Sequence, residues 1–320
     1  MEPNPAGHLT SGRPLPAVVV NPSNLNDPAA LRVRISQICA ELGWASPLWL
    51  ETTVEDPGCG QARTALSSDA DVVLVCGGDG TVRQVAQVLA GSGIAMGLLP
   101  TGTGNLLARN LAMVIGDLSK AARIALCGEN RAIDVGWALI DDRDEEQAFL
   151  VMAGVGFDAA IMAGAPHELK SRLGPLAYFV SGFRALLEPR AGVTLAVDGR
   201  IEPCRLVRTI VVGNCGRLLG GLVLLPDARV DDGLLDVVSL GPKSIRGWLV
   251  VAARVITRRR HGHRIVQHWQ GRTILINSES PQQAQLDGDA IGEVCAMRMR
   301  VDRGALLIRV PTAGGSDAAH

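Results

Sequence analysis

Two glycine-rich loops, each between an apolar run and a helix-like segment, constrain this chain more than any other feature. Residues 72–76 form a short β-branched run that ends at Gly77-Gly78, and residues 94–99 form a second run that ends at Pro100. Such runs are typical of strands buried on both faces of a parallel sheet. Because the crossover between parallel strands is right-handed, we expect both loops at the same carboxyl edge of the sheet.

The two loops together predict an anion site. Loop 77–81 reads GGDGT, and loop 101–105 reads TGTGN. Glycine lets the backbone approach an oxyanion, and a helix N-terminus favours negative charge, so a phosphate chain is the expected ligand. No GxxxxGK[ST] motif occurs, and the charged residue of the first loop is Asp79. A carboxylate beside phosphates implies an intervening Mg²⁺. Two ordinary βα turns, with Thr81 as a helix N-cap, are the alternative.

The second half of the chain has a different pattern. Apolar and polar residues alternate over 193–197 and 297–301, with expected turns at Asp198-Gly199 and Arg303-Gly304. This pattern predicts an antiparallel β-sandwich. Helical insertions are expected over about 159–188 and 243–260.

A basic stretch, RRRHGHR, covers 258–264 at the end of the second insertion. It could be a solvated helix end, a nucleic-acid contact or a contact with an anionic membrane surface, and these alternatives stay open.

Composition excludes several classes. A net charge of −1 over 320 residues argues against a general nucleic-acid binder. No apolar stretch reaches the roughly 18 residues that would span a bilayer, and the N-terminal residues lack a signal-peptide pattern. Seven cysteines without a CxxC pair indicate reduced thiols, so a cytoplasmic location is expected.

GGDGT followed by PTGTGN resembles the diacylglycerol kinase catalytic domain family, which includes sphingosine and ceramide kinases and many bacterial lipid kinases. GGDGT alone is shared with NAD kinases, but the pair at this spacing is much more specific. With the patterns above, the resemblance implies an α/β plus β fold. A three-layer α/β nucleotide-binding domain of the NAD kinase and diacylglycerol kinase type is expected over 1–131. An antiparallel β-sandwich that receives the lipid is expected over 132–311, followed by a flexible tail over 312–320.

The resemblance also implies an ATP site at the carboxyl edge of the first sheet. Two departures from the family stand out: the glycine usual after Asn21-Pro22 is missing, and Leu106 replaces an acid that many relatives carry. The residues expected to contact ATP are Asn21, Thr53, Gly77, Gly78, Asp79, Gly80, Thr81, Gly102, Thr103 and Asn105.

Catalytic roles follow from the same resemblance. Asp79 would organise the catalytic Mg²⁺. The family motif D-G-E reads Asp287-Gly288-Asp289 here, so Asp289 replaces the glutamate that is the presumed general base, with a reach shorter by at most about 1.5 Å. Asp287 would act as a base or organise a metal. Taken alone, Asp-Gly predicts only a hairpin turn.

A structural Mg²⁺ site is the third element that the resemblance implies. Its ligands would be the carboxylate of Asp232 and the backbone carbonyls of Arg229 and Leu234, with waters completing an octahedron. The alternative is a plain Asp-Asp-Gly turn between strands.

The resulting prediction is a lipid kinase that uses ATP and Mg²⁺, with diacylglycerol preferred because it is the commonest family substrate. A kinase of a soluble substrate, such as NAD or a sphingoid base, and a binding protein with little catalysis are the alternatives. The expected partners are a membrane lipid and the anionic inner face of the membrane, without nucleic acid. A homodimer through an exposed sheet edge stays open.

Overall fold

The computed structural model describes residues 12–156, 191–202, 206–218, 223–242, 244, 247, 251 and 265–312. Its first half alternates strands and helices, as the sequence predicts. The elements are β1 (Pro16–Val20), a 3-10 turn (Pro22–Asn24), α1 (Pro28–Glu41), β2 (Leu48–Glu51), α2 (Cys59–Ser67), β3 (Val72–Gly77), α3 (Asp79–Leu89), β4 (Ala95–Pro100), α4 (Leu106–Asn110) and α5 (Leu118–Cys127).

Strands β1 to β4 form a parallel sheet in the order β2-β1-β3-β4. Alternate residues of β1 point to opposite faces, so Ala17 and Val19 join the core beneath α2 and α3, whereas Val18 and Val20 join the core beneath α1 and α5. Helices therefore cover both faces of the sheet, and the predicted three-layer arrangement is confirmed. All four strands end at one edge, which is where the glycine loops begin.

The second half is almost entirely strand within the described residues. Its elements are β5 (Glu129–Ile140), β6 (Gln147–Phe149), β7 (Met152–Val155), β8 (Ala191–Val197), β9 (Arg200–Glu202), β10 (Leu206–Val207), β11 (Thr209–Gly213), β12 (Leu235–Leu240), β13 (Val266–Gly271), β14 (Thr273–Leu286) and β15 (Asp289–Val310).

These strands pair antiparallel with one another, and the predicted β-sandwich is confirmed. The long strand β14 joins the two layers, because its first part pairs with β8 and its last part pairs with β7. From β7 the sheet continues through β11 and β12 to β13, with each strand paired to the next. The inner faces meet in one buried apolar cluster, to which β8, β11, β12, β14 and β15 contribute. The Asp198-Gly199 turn joins β8 to β9 as expected, with positive φ at both residues.

Strand β15 connects the sandwich to the parallel sheet. Its first part pairs with β14, and near its end Leu307 and Ile308 lie beside Ala95 and Met96 of β4. The prediction of a turn at Arg303-Gly304 is wrong, because these residues lie inside β15. They form an irregularity there, at which the pairing of β15 with β5 shifts between Asp302 and Leu306. Strand β15 thus runs continuously from its hairpin with β14 to the parallel sheet.

Several sequence predictions lie outside the described residues: the helical insertion over 159–188, most of the insertion over 243–260, the basic stretch over 258–264 and all but the first residue of the tail over 312–320. Among the helices that the structure does describe, none combines the length and apolar character needed to cross a bilayer. The predicted division near residue 131 falls within β5, which pairs along its whole length with β15.

Candidate active site

The predicted nucleotide residues gather at the carboxyl edge of the parallel sheet. Asn21 directly follows β1, Thr53 lies just after β2, loop 77–81 follows β3, and loop 101–105 follows β4. Since ligands of open α/β sheets bind outside the carboxyl ends of the strands, this edge is the natural place for a phosphate chain.

The two glycine loops contact each other through their backbones. A Cβ on Gly102 would lie 2.5 Å from the Cα of Gly78, so the second loop leaves no room for a side chain at Gly102. Asn105 braces the second loop, because its Oδ1 accepts the N–H of Gly102 at 3.0 Å and its Nδ2 donates to the Gly102 carbonyl at 2.7 Å. Asn105 is buried and has a left-handed backbone. In the first loop, Thr81 is buried and packs over Gly77.

Asp79 begins helix α3 between the two loops. Its Oδ1 accepts the N–H of Leu106 at 2.6 Å, and a Cβ on Gly104 would collide with its Oδ2. Burial, with smaller contributions from the carboxylates of Asp287 and Asp289, raises the pKa of Asp79 to about 6 against the lowering effect of the backbone hydrogen bonds. The three aspartates that the resemblance singles out therefore interact electrostatically, although they lie far apart in the chain.

Asp287 and Gly288 form the two-residue turn between β14 and β15, with φ values of 51° and 96°. The expected Asp-Gly hairpin is confirmed, and it has the positive-φ geometry of a type I′ turn. The Asp287 carboxylate is buried and accepts the N–H groups of Leu150, Val151 and Met152 at 2.8, 2.8 and 2.9 Å. Burial raises its pKa, while these hydrogen bonds and Arg83 lower it. Asp287 thus ties the hairpin to residues 150–152.

Asp289 is the more accessible acid, with 49% of its side chain exposed. Its Oδ2 accepts a hydrogen bond from Nη2 of Arg83 at 2.9 Å and lies 2.9 Å from where a Cβ on Gly80 would be. Arg83 was not among the predicted site residues. Its position four residues after Asp79 places both residues on the same face of α3, and this spacing was the available signal.

Two of the residues expected to contact ATP form hydrogen bonds within their own turns. The Oδ1 of Asn21 accepts the N–H of Ser23 at 3.1 Å and its hydroxyl at 2.5 Å, and Asn24 lies next to Gly78. Thr53 is exposed, and its Oγ1 accepts the N–H of Asp56 at 3.1 Å. Thr103 is exposed at the tip of the second loop. Contacts of these residues with ATP stay a prediction.

The three predicted ligands of a structural Mg²⁺ lie in a separate turn, before β12. The Oδ1 of Asp232 accepts the N–H of Leu234 at 3.0 Å, and Arg229 is exposed. Burial is the main cause that raises the pKa of Asp232, and Asp134 adds to it. Asp134 was not among the predicted residues of this turn. It is fully buried and accepts the N–H groups of Gly233 at 2.6 Å and Gly304 at 2.7 Å.

Both places offer the hard oxygen donors that Mg²⁺ prefers. At the glycine loops, burial is the main cause that raises the pKa of Asp79 and nearby carboxylates add to it, so its ionised form is unfavourable there and a divalent cation would relieve it. No group of three or more Asp, Glu, His or Cys side chains in the described part of the chain could hold a metal alone. A cation at Asp79 would therefore share its coordination with phosphate oxygens, and one at Asp232 with backbone carbonyls.

Two family models match the chain in succession. The "Diacylglycerol kinase catalytic domain" matches residues 17–138, and the "YegS C-terminal NAD kinase beta sandwich-like domain" matches residues 151–310, which is half of the chain. The first match contains both glycine loops and Asp79, and the second contains Asp287 and Asp289.

Curated relatives carry related names. A diacylglycerol kinase of Bacillus subtilis is 27% identical over 242 residues, covering 74% of this chain and 77% of the relative. A diacylglycerol kinase of Mycobacterium tuberculosis is 34% identical over 174 residues, covering 54% of this chain and 56% of the relative. A protein of Pseudomonas aeruginosa named "Probable lipid kinase YegS-like" is 39% identical over 191 residues, covering 58% and 60%. The chain thus spans little more than half the length of the last two.

Solved structures support the fold over nearly the whole chain. A diacylglycerol kinase from Bacillus anthracis superposes with a TM-score of 0.71 at 22% identity, covering 95% of this chain and 99% of the other. A yeast NADH kinase superposes with a TM-score of 0.53 at 8% identity, covering 97% and 90%. The two family models, the second of which covers half of the chain, show that it belongs to the lipid-kinase family that joins a diacylglycerol kinase catalytic domain to a YegS-type β-sandwich domain.

Proposed function

We propose that this protein transfers the γ-phosphoryl group of ATP to the free hydroxyl of diacylglycerol and produces phosphatidic acid. The observation that carries the proposal is that the carboxylate of Asp79, in the first glycine loop, reaches Gly104 of the second, while that of Asp289 lies against Gly80. A fold that brings carboxylates to an anion-binding edge is suited to an anion that arrives with a cation.

The phosphate chain of ATP binds along loops 77–81 and 101–105. Both loops carry glycines in this path, and at Gly102 the backbone of Gly78 leaves no room for a side chain, so a phosphate can approach the backbone N–H groups. The first turn of α3 adds the partial positive charge of a helix N-terminus. A bound Mg²⁺, held by Asp79, would neutralise the charge that develops on the transferred phosphoryl group.

Asp289 acts as the general base. Its carboxylate is half-exposed and lies beside Gly80 of the first loop, so a lipid hydroxyl can reach it while facing the γ-phosphate. The hydroxyl oxygen bonds to the γ-phosphorus as the bond to the β–γ bridging oxygen breaks, and the hydroxyl proton passes to Asp289. Asp287 shapes the hairpin that presents Asp289, since three backbone N–H groups already engage its oxygens.

The substrate is a lipid because the named relatives are diacylglycerol and lipid kinases, and this is the reason for preferring diacylglycerol over NAD or a sphingoid base. The same proposal includes peripheral contact with the anionic inner face of the membrane, where this substrate resides. A structural Mg²⁺ at Asp232, with the carbonyls of Arg229 and Leu234, completes it.

Transfer of label from ATP, labelled at its γ-phosphate, tests the proposal against a panel of lipids and NAD. The test variant is Asp79→Asn, and the matched control is Asp117→Asn. Asp117 caps the remote helix α5 through the N–H of Lys120, and asparagine caps a helix about equally well. We expect label in the chloroform extract with diacylglycerol, about 10³-fold less with Asp79→Asn, and unchanged transfer with Asp117→Asn.

Three outcomes would contradict the proposal in different ways. Label confined to the aqueous phase would indicate a soluble substrate. Saturable binding of ATP without transfer would indicate a binding protein. Full activity of Asp79→Asn would remove Asp79 from the mechanism and leave only the family resemblance.

A further inference from the structure

Arg83 is a buried cation at the junction of the two domains. Only 7% of its side chain is exposed, and its ion pair with Asp289 joins helix α3 to the hairpin of β14 and β15. The Nε and Nη1 atoms are buried and have no hydrogen-bond partner among the described residues. A buried guanidinium with unsatisfied donors is costly for stability. Within the described part of the chain no further hydrogen bonds offset this cost, so the position of Arg83 beside the proposed base is the better reason for the residue.

The guanidinium fixes the Asp289 carboxylate from the side of the nucleotide loops. Arg83 lies one helical turn after Asp79, and the same Oδ2 that it binds lies against Gly80. The carboxylate is therefore confined between Arg83 and the first turn of α3. Asp287 confines the other end of the hairpin through residues 150–152.

We propose that Arg83 is the positioning residue of Asp289 in phosphoryl transfer, and this inference rests on the proposed function. Aspartate brings its carboxylate about 1.5 Å less far than glutamate would. A half-exposed aspartate would also sample several rotamers, and each misplaced rotamer lowers the rate. A guanidinium remains protonated at all working pH values and donates without accepting, so it holds the carboxylate as the hydrogen-bond acceptor that a base must be.

A purely structural ion pair makes a different prediction. It would contribute to folding, and its loss would lower stability without a selective effect on turnover. A positioning role and a structural role are therefore distinguished by kcat, by the KM for ATP and by rescue of activity with added guanidinium. All are measured on variants that remain folded.

The experiment compares Arg83→Gln, Arg83→Lys and Arg83→Ala with the matched control Arg123→Gln, in full-length protein. Arg123 of α5 pairs with Glu41 of α1, away from the candidate active site, so this control removes an exposed arginine–carboxylate pair with the same substitution. Diacylglycerol in mixed micelles and Mg·ATP are the substrates, and thermal unfolding verifies that each variant is folded. The Arg83→Ala variant is also assayed with added guanidinium ion, which can enter the space that the side chain leaves.

We expect Arg83→Gln to lower kcat about 10- to 100-fold while the KM for ATP changes less than about threefold. Arg83→Lys should recover part of the loss, because it keeps the charge but not the planar fork. Added guanidinium should raise the rate of Arg83→Ala but not that of Arg83→Gln, whose side chain fills the space. Arg123→Gln should match the wild type.

Two results would overturn the inference, and they are distinguishable from each other. An active wild type with Arg83→Gln within about twofold of it, or with no rescue of a folded, impaired Arg83→Ala, would remove Arg83 from the reaction and leave the proposed function intact. A wild type that transfers no label to any lipid would overturn the proposed function and, with it, the role given to Arg83.

Discussion

Asp79 and Asp289 face the same candidate site, but the fold positions them by different means. Asp79 is held by a nearby part of the chain, since its loop begins α3 and its hydrogen-bond donor Leu106 is 27 residues away. Asp289 is held by Arg83, which is 206 residues away in the chain. Asp79 is largely enclosed and its pKa is raised to about 6, whereas Asp289 is half-exposed and carries a cation as its partner.

The difference indicates a division of work between the two domains. The glycine loops use backbone geometry, which admits a phosphate and leaves an acid with an unfavourable charge that a cation can relieve. The hairpin uses side-chain partners to hold Asp289, the proposed base, beside the first glycine loop. Variants of these two regions should therefore fail in different ways.

Loss of Asp287 should have the largest effect on stability. Asp287→Ala leaves the N–H groups of Leu150, Val151 and Met152 without their acceptor in a buried region, so we expect a loss of about 3–5 kcal/mol in the free energy of unfolding. Asp289→Ala should cost less, about 1–3 kcal/mol, because its carboxylate is half-exposed but its loss leaves the buried Arg83 unpaired. Urea denaturation measures both. Equal losses would contradict the view that Asp287 holds the hairpin in place while Asp289 is mainly a site residue.

Asp79→Asn should stabilise the protein in the absence of Mg²⁺ and nucleotide while it abolishes transfer. The raised pKa of Asp79 means that the folded state binds its proton more tightly than the unfolded state. Stability is therefore lost as pH rises from about 4 to about 6, and the penalty persists above that range. We expect a gain of about 1–3 kcal/mol for Asp79→Asn at pH 7.5, shrinking towards zero near pH 4.

Chemical denaturation at several pH values measures this gain, with Asp117→Asn as the control. Asparagine keeps an oxygen that can accept the N–H of Leu106, so the comparison isolates the charge. A variant that is less stable than the wild type at every pH would show that burial of Asp79 is not unfavourable.

Alanine at the two loop glycines should have smaller and unequal effects. At Gly102 a Cβ meets the backbone of Gly78, which cannot rotate away, so we expect a loss of about 1–2 kcal/mol and about tenfold weaker nucleotide binding. At Gly80 the Cβ meets the flexible end of Asp289, and alanine favours the helix, so stability should change by less than about 0.5 kcal/mol. Thermal unfolding and titration with Mg·ATP measure both, and a reversed order would contradict the proposed contact between the loops.

The same contrast explains what the sequence could predict. Elements β1, β3, β4, α1 and α5 were predictable because short apolar runs, caps and glycines define them locally. The Asp287-Gly288 turn was equally local, since positive φ at both residues favours this dipeptide.

Long-range contacts account for what the sequence did not show. Arg83 looks like an ordinary polar residue of an amphipathic helix until the hairpin places Asp289 against it. Asp134 looks like one polar residue of a strand, but it receives N–H groups from Gly233 and Gly304, which lie 99 and 170 residues later. Arg303-Gly304 has the composition of a turn, yet pairing with β5 keeps the strand continuous.

The most direct test of the central claim is calorimetric titration with a non-hydrolysable ATP analogue, with and without Mg²⁺, on the wild type and Asp79→Asn. If the acid in the first glycine loop accepts a triphosphate only through a divalent ion, the wild type should bind the analogue at least about tenfold more tightly with Mg²⁺. Asp79→Asn should lose most of this dependence on Mg²⁺. Equal affinity of the wild type with and without Mg²⁺, or no binding of the analogue at all, would contradict the account.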